Sequence, residues 1–186
     1  MAEEVSKPLV LWLDSDVARS ARDCRELAKL AKRKGVKVVV SAQIHLEQCR
    51  QVRVNARKTG RLFVPSLMGS FLEQLSIHVE PVVFDQAKAE RWGELLDQTH
   101  PAPDDWRDAK LRAVHGRLPK AELPEASGVP MTTDWLIALE VHEREDFVAS
   151  NDGGEEWKLL RAMTPPRAMK LATAMAWLES LPDASP

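Results

Sequence analysis

Two short apolar runs, each followed by a segment of helical period, occupy the beginning of the chain. Residues 8–14 form a continuous apolar run that ends in Asp14, and residues 36–41 form a second run that is rich in valine. Apolar runs of this length are typical of strands that are buried on both faces of a parallel sheet. The strand–helix–strand–helix order predicts a three-layer α/β/α fold, in which helices cover both faces of a central, mainly parallel sheet.

The remaining elements follow from periodicity and from capping residues. The first helix is expected to begin at residue 15 or 16 and to stop at Gly35, since glycine often ends helices. A strand is expected at 77–84, and Pro81 within it predicts an edge strand or an irregular segment. Thr164 followed by Pro165 predicts the start of the last helix. Further helices are predicted at 42–58, 66–75, 85–97, 104–115 and 132–143, with a short strand at 147–150 and a turn at 151–154.

The length of 186 residues suits one domain. We expect residues 1–157 to form this domain and residues 158–186 to form a helical extension packed on it. Residues 99–131 contain five prolines and several charges, which indicates an insert that leaves the core. Such an insert is ordinarily a surface loop, and a functional lid or partner surface is the alternative.

The composition narrows the class of protein. The apolar fraction of 44% and the charged fraction of 29% are those of a soluble globular protein. A net charge of −2 gives no overall attraction to nucleic acid, so any such attraction must come from a local patch. Cys24 and Cys49 fit neither a disulfide framework nor a metal motif. The start of the chain lacks the apolar region of a secretion signal, and a cytoplasmic location is predicted.

Four acidic residues occupy positions that an open α/β sheet would gather at one edge. Asp14 and Asp152 each follow an apolar run. Glu47 lies in the helical segment after the second run, and Asp134 opens an apolar helical stretch. Ligands of open α/β sheets bind in the crevice beyond the carboxyl ends of the strands, so these acids are candidate functional residues.

Acids gathered in this way require a counter-charge. Two full charges about 4 Å apart repel by roughly 4 kcal/mol at an effective dielectric constant of about 20. Mg²⁺ or Mn²⁺ supplies the opposite charge and prefers oxygen ligands. Such an ion orients a water molecule and neutralises charge on a phosphate oxygen, so the acids predict chemistry on phosphate esters. The alternative for each acid alone is a helix cap or an exposed surface charge.

Four segments of the chain, in order, resemble the motifs of PIN domains, the nuclease family that includes VapC-type toxins. The segments are LWLDSDV (residues 11–17), VVVSAQIHLE (residues 38–47), TDWLIA (residues 133–138) and FVASND (residues 147–152). The resemblance extends from residue 8 to about residue 157. It implies a parallel sheet between helices and an endonuclease that uses Mg²⁺ or Mn²⁺ to cut RNA, less often DNA, leaving a 5′-phosphate and a 3′-hydroxyl.

The resemblance also implies roles for particular residues and partners. Ser15 would position the first acid or the scissile phosphate. An antitoxin or a defence complex would control a toxin of this family, and homodimerisation is expected. The metal-site and catalytic acids implied by the resemblance are Asp14, Glu47, Asp134 and Asp152.

A basic segment follows the second of these motifs. Residues 50–61 hold five basic residues and no acidic one. Such a segment could guide a phosphate backbone toward the metal site, and a solvated helix face is the alternative. Another basic cluster at residues 32–37 should lie at the opposite edge of the sheet, and we interpret it as a contribution to solubility. The candidate nucleic-acid-binding residues are Arg50, Arg53, Arg57, Lys58 and Arg61.

Two other functions remain open. Asp14 and Asp16 also match the haloacid-dehalogenase-like phosphatase pattern, in which the first acid is a nucleophile and the second a general acid. Ser41 could imitate the phosphate-binding hydroxyl of that family. No convincing lysine or closing pair of acids completes the pattern, and it does not explain residues 133–138. The other alternative is a catalytically inactive PIN-like binding module, with the insert and the last helix as contact surfaces.

Overall fold

The computed structural model describes residues 7–46, 58, 71–82 and 133–184. These residues form a parallel sheet of five strands, and β1 is its central strand. The spatial order is β3-β2-β1-β4-β5. The strands are β1 (Val10–Leu13), β2 (Lys37–Ser41), β3 (Ile77–Glu80), β4 (Phe147–Ala149) and β5 (Ala168–Met169).

Helices connect the strands and cover both faces of the sheet. Residues 42–46 and 71–74 are also helical. Residues in the left-handed region precede three of the strands: Gly35 before β2, Ser76 before β3 and Glu145 before β4. The remaining helices are α1 (Ser15–Ala18), α2 (Ala21–Arg33), α3 (Thr133–Glu143), α4 (Glu155–Ala162) and α5 (Leu171–Ser180).

The register of the strands assigns side chains to the two faces. Trp12 of β1 is in register with Val39 and Val148, and side chains in register point to the same face. The guanidinium of Arg144, just after α3, lies 5.2 Å from the Trp12 ring centroid. The Phe147 ring points to the other face, since it is offset by one residue, and lies 4.8 Å from the ring of Trp177 in α5.

Helix contacts complete the three layers. Helix α5 packs against α2, and α3 packs against α4. One outer layer therefore contains α2 and α5, and the other contains α3 and α4. This arrangement confirms the predicted three-layer α/β/α fold with its parallel sheet.

Two predicted boundaries are wrong near the first and third strands. The helix expected from residue 15 to about residue 34 is divided into α1 and α2. Ser20 causes the division because its hydroxyl accepts a hydrogen bond from Asp23 N at 3.3 Å and caps a new helix. Strand β3 ends at Glu80, directly before Pro81, because proline cannot donate to the ladder.

The interpretation of Thr164 and Pro165 as a helix start is also wrong. Their peptide bond is cis, and the following residues form strand β5 before α5 begins at Leu171. Residues 158–184 therefore contribute an edge strand to the sheet as well as a helix. Helix α4, directly after the 151–154 turn, was not predicted.

A polar network crosses the face of the sheet that α3 covers. Trp12 Nε1 donates to the buried carboxylate of Asp146 at 3.0 Å, and Arg144 Nε lies 3.1 Å from the same carboxylate. Arg144 Nη1 also donates to Glu80 at 2.8 Å, and Lys37 pairs with Glu80. The network links β1, β2, β3 and the entry to β4.

Several expectations fall outside the described residues. These are the helices predicted at 85–97 and 104–115, and the insert at 99–131. Within the ranges that the structure does describe, no helix has the length and apolar character needed to cross a membrane.

Candidate functional site

Asp14 and Ser150 meet where two neighbouring strands end. Asp14 follows β1, Ser150 follows β4, and these strands pair in parallel. Ser150 Oγ donates a hydrogen bond to Asp14 Oδ2 at 2.6 Å, and the backbone N–H of Ser15 donates to Asp14 Oδ1 at 2.5 Å. Only 2% of Asp14 is exposed, so this carboxylate is held in a defined orientation at the carboxyl edge of the sheet.

The environment of Asp14 disfavours its negative charge. Burial is the main cause that raises the pKa of the Asp14 carboxyl. Hydrogen bonds from Ser150 and from the Ser15 backbone oppose this increase, whereas the charges of Asp16 and Asp152 add to it. An ionised Asp14 is therefore a site at which a cation would be electrostatically favourable.

Asp152 belongs to a loop that the segment after β1 holds in place. Its backbone N–H donates to Ser150 Oγ at 3.1 Å, and its own carboxylate accepts from Gly153 N at 2.5 Å. Asp16 Oδ2 accepts from Asn151 N at 2.9 Å. The loop between β4 and α4 is thus fastened directly to the segment that follows Asp14.

Arg161 of α4 fastens the same loop from the other side. Its Nη2 atom donates to the carbonyl oxygens of Ser150 at 2.7 Å and Asp152 at 2.8 Å. Asn151 Oδ1 accepts from Leu171 N, at the start of α5, at 3.1 Å. We call residues 150–153 the acidic loop. Contacts from three separate parts of the chain fix its position.

A further buried acid lies at the start of α4. Glu156 is 4% exposed. A Cβ atom at Gly154 would lie 2.3 Å from Glu156 Oε1, so a larger residue there would displace the end of the Glu156 side chain. Glu156 adds a carboxylate to the segment that follows the acidic loop, and sequence reasoning did not select it.

Asp134 occupies the second position of α3 and is half-buried. Only three residues separate the end of α3 from the start of β4, so the chain reverses direction between them. The first turn of α3 is therefore directed toward the edge at which β4 ends. This is the edge that contains Asp14 and the acidic loop.

Ser15 is half-buried beside Asp14. Its hydroxyl accepts a hydrogen bond from Arg19 Nη2 at 3.2 Å. A guanidinium group therefore lies next to the hydroxyl that was predicted to position a phosphate. This contact brings a positive charge to the site edge.

The other predicted site residues lie mostly outside the described part of the chain. Lys58 is described, and it is an exposed helical residue. The residues outside the described ranges are Glu47, Arg50, Arg53, Arg57 and Arg61.

The oxygen donors at this edge suit a hard divalent cation. Carboxylate oxygens are the preferred ligands of Mg²⁺ and Mn²⁺, and such an ion would offset the burial and the smaller charge repulsion that together raise the pKa of Asp14. Among the described residues, no group of three acidic, histidine or cysteine side chains is arranged to hold a metal ion. Asp14 and Asp152 are thus the two candidate ligands among these residues, and Asp134, which was predicted to join them, does not form a group of three with them. Glu47 lies outside the described residues.

Comparisons with protein-family models, with curated proteins and with solved structures find no match to this chain. Its function is therefore inferred from the side chains at the sheet edge and from the four motifs.

Sequence reasoning missed two residues that organise the site. Ser150 had a detectable signal, because it ends the strand that was predicted before Asp152 and could therefore lie beside the end of β1. Arg161 had no such signal, because its role depends on where α4 packs. Arg161 precedes the predicted start of the last helix, and α4 itself was not predicted.

Proposed function

We propose that this protein is a cytoplasmic, metal-dependent endonuclease of the PIN-like type that hydrolyses phosphodiester bonds in RNA. One observation carries the proposal: the fold brings Asp14 and Asp152 to the carboxyl ends of adjacent strands, where their charges interact. The four motifs in order, and the parallel sheet that they helped to predict, support the same assignment.

Each residue of the site would have a separate role in the reaction. A bound Mg²⁺ or Mn²⁺ would supply Lewis acidity, polarising both the phosphate oxygen and the attacking water. Asp14 and Asp152 would hold the ion directly or through water, and Asp134 would reach it through water. Glu47 would bind the same ion or accept the proton of the attacking water. In-line attack on phosphorus would leave a 5′-phosphate and a 3′-hydroxyl.

The protein supplies preorganisation to this chemistry. Ser150 donates to one oxygen of Asp14 and leaves that carboxylate little rotational freedom. Arg161 and Asp16 fix the backbone on both sides of the acidic loop. Metal ligands that are held by such outer contacts bind more effectively than mobile ones.

The contacts of Asp16 weigh against the phosphatase alternative. A general acid must be protonated and must face the reacting group. Both carboxylate oxygens of Asp16 instead accept backbone hydrogen bonds, from Val17 N at 2.8 Å and from Asn151 N at 2.9 Å. These bonds occupy both oxygens of Asp16 and give it a positioning role.

The decisive experiment is incubation of purified protein with end-labelled RNA and with DNA of the same sequence, with Mn²⁺ and with excess EDTA. We expect RNA cleavage that requires Mn²⁺. Asp14→Asn and Asp152→Asn should each lower the rate by at least about 100-fold, the upper end of the losses seen when only outer-shell partners of a metal site are removed.

Glu179→Gln is the matched control, because this acid is exposed near the end of α5 and is not one of the proposed site or stripe residues. It should cleave at the wild-type rate. Full activity of Asp14→Asn, or full activity in EDTA, would reject the nuclease. Loss of cleavage in Asp134→Asn would further separate the nuclease from a phosphatase, which forms an acyl phosphate at Asp14 without Asp134.

Metal titration separates the nuclease from an inactive binding module. We expect Mn²⁺ to raise the melting temperature of the wild type and to have little effect on Asp14→Asn. The reason is that Mn²⁺ stabilises the folded state only when the folded protein has an intact site to bind it. A wild-type protein with no Mn²⁺-dependent shift and no cleavage would indicate a binding module.

A further inference from the structure

The outer face of α2 carries a stripe of positive charge that the proposed site does not use. Seven residues of α2 are exposed, of which five are basic and one, Glu26, is acidic. The basic residues lie within about one third of the helix circumference, because the first four follow one another at spacings of three or four positions and the fifth lies four positions after the third. The whole chain has a net charge of −2, so this charge is a local feature. We call these residues the α2 basic stripe: Arg22, Arg25, Lys29, Lys32 and Arg33.

The stripe begins at the edge of the sheet that holds Asp14. Helix α2 follows β1 and α1, and it ends just before β2, so it spans the height of the sheet, about 20 Å. Arg19 is exposed between α1 and α2 and donates to the hydroxyl of Ser15, the residue after Asp14. Positive charge is therefore continuous from the candidate site to the far edge.

The charges of the stripe are available to a polyanion. Among the described residues, Lys29 and Lys32 have no ion-pair partner. Arg22 pairs with Glu26 at 3.1 Å, and both side chains are exposed. Exposed pairs of this kind contribute about 1 kcal/mol or less, so phosphate groups can compete for the arginine.

Two basic residues near the stripe are used by the fold instead. Lys34 pairs with Asp183 at 2.7 Å, and only 8% of its side chain is exposed. Lys37 pairs with Glu80. Arg33 also pairs with Asp183 at 3.4 Å, but both side chains are exposed, so this pair is weak in the same way as that of Arg22. The basic cluster at residues 32–37 therefore divides into structural residues and exposed ones, and Lys32 and Arg33 extend the stripe.

We propose that the α2 basic stripe binds the sugar-phosphate backbone of the nucleic-acid strand that is cut at Asp14. This inference rests on the proposed function and names the surface that its substrate follows. From Arg22 to Lys32, successive basic residues lie about 4.5 to 6 Å apart along the helix axis, which gives a row of contacts to consecutive phosphates. Contacts of this kind fix the position of a strand without reading its sequence.

The test is fluorescence anisotropy of a labelled single-stranded RNA with the full chain in EDTA, which prevents metal-dependent cleavage. The double variant Lys29→Glu/Lys32→Glu should bind at least tenfold more weakly at 50 mM salt. The slope of log K against log salt should shrink by about 1.4, since each phosphate contact to a single strand contributes about 0.7. DNA of the same sequence is the second arm, and weakened binding of either nucleic acid supports the stripe.

The matched control is Lys29→Arg/Lys32→Arg, which keeps the charge and should retain wild-type affinity. Circular dichroism melts of both double variants establish that α2 has folded. Unchanged affinity and slope in the charge-reversed variant would overturn the proposal. Binding of wild-type protein to phosphatidylserine vesicles but not to RNA or DNA would also overturn it, because the stripe would then recognise a lipid surface.

Cleavage with Mn²⁺ is measured separately, so the two proposals can fail independently. Stripe-dependent RNA binding without any cleavage would reject the proposed nuclease activity and support the proposed binding surface. Cleavage by the charge-reversed variant with unchanged RNA affinity would reject the proposed role of the stripe and support the proposed nuclease activity.

Discussion

At the scale of single residues, Asp14 is a carboxylate whose ionised form is disfavoured by the fold. Its folded-state pKa is raised above the ordinary value, mainly by burial. The wild type therefore loses stability as the pH rises from the unfolded-state pKa through the folded-state pKa. This loss of stability is electrostatic, so removal of the Asp14 charge should restore the lost stability.

Asp14→Asn should accordingly raise the free energy of unfolding at pH 7 in EDTA, because the neutral amide avoids the cost of a buried charge. The advantage over the wild type should shrink as the pH falls toward 4. Urea denaturation at both pH values measures this difference. A variant less stable than the wild type by the same amount at both values would contradict the electrostatic explanation.

Cys24 provides a second test at the residue scale. This thiol is buried, and burial raises its pKa to about 11. Its sulfur lies 3.7 Å from the carbonyl oxygen of Val17 and 3.6 Å from that of Ala18. Only the thiolate reacts with disulfide reagents, so Cys24 should be inert at pH 8 in folded protein.

The measurement is reaction with a chromogenic aromatic disulfide in the Cys49→Ser variant, which leaves Cys24 as the single thiol. We expect no colour on the scale of minutes in buffer and one equivalent after addition of guanidinium chloride. Prompt reaction in buffer would show that α1 and α2 open readily.

At the scale of elements, the acidic loop depends on α4 for its position. Arg161→Met removes both bonds to the loop carbonyls. We expect a stability loss of about 1 to 3 kcal/mol, the range for bonds from a charged donor. We also expect a rise in the Mn²⁺ concentration that gives half-maximal cleavage, because the Asp152 ligand is less well held.

Arg161→Lys is the control, since it keeps a charged donor at the same position and should recover part of both effects. Cleavage measured over a range of Mn²⁺ concentrations separates the two roles of Arg161. An unchanged metal dependence together with lower stability would indicate that Arg161 only supports the fold.

Secondary structure could be predicted from sequence where the chain has a strong local signal. The valine-rich run and the apolar run before Asp14 indicated β2 and β1, and the sheet was expected to be mainly parallel. Strand β5 has two residues, so it lacks a detectable period, and Pro165 beside it suggested a helix start instead. Such a short strand is defined by pairing with β4, which sequence does not reveal.

The site residues also divide into those with a local sequence signal and those whose position depends on packing. Asp14 and Asp152 were expected together because each follows an apolar run, and parallel strands end at one edge. The position of Arg161 depended on the packing of α4. Ser20 also shows how one hydroxyl can divide a helix that periodicity alone would make continuous.

At the scale of the whole molecule, Glu80 joins distant parts of the chain. Burial alone would raise the pKa of its carboxyl, but hydrogen bonds from Lys37 and Arg144 outweigh burial and leave the pKa lowered. A lowered pKa means that Glu80 contributes stability above its unfolded-state pKa, and this contribution is lost as the pH falls through the folded-state value.

Glu80→Gln should therefore lower the free energy of unfolding by about 1 kcal/mol at pH 7. The difference from the wild type should diminish below about pH 4, where the wild-type carboxyl also becomes neutral. Urea denaturation provides the measurement, and Glu179→Gln, at an exposed position of α5, is the control. Equal destabilisation by both substitutions would contradict a specific role for Glu80.

The chain beyond α5 is attached to the end of α2. Ala184 N donates to the carbonyl oxygen of Arg33 at 2.9 Å, and Lys34 Nζ donates to that of Leu181 at 2.5 Å. A purification tag fused directly after Ala184 would therefore start beside Arg33. An acidic or polyhistidine tag there would alter the measured attraction of RNA, so immobilised or tagged protein would misreport it.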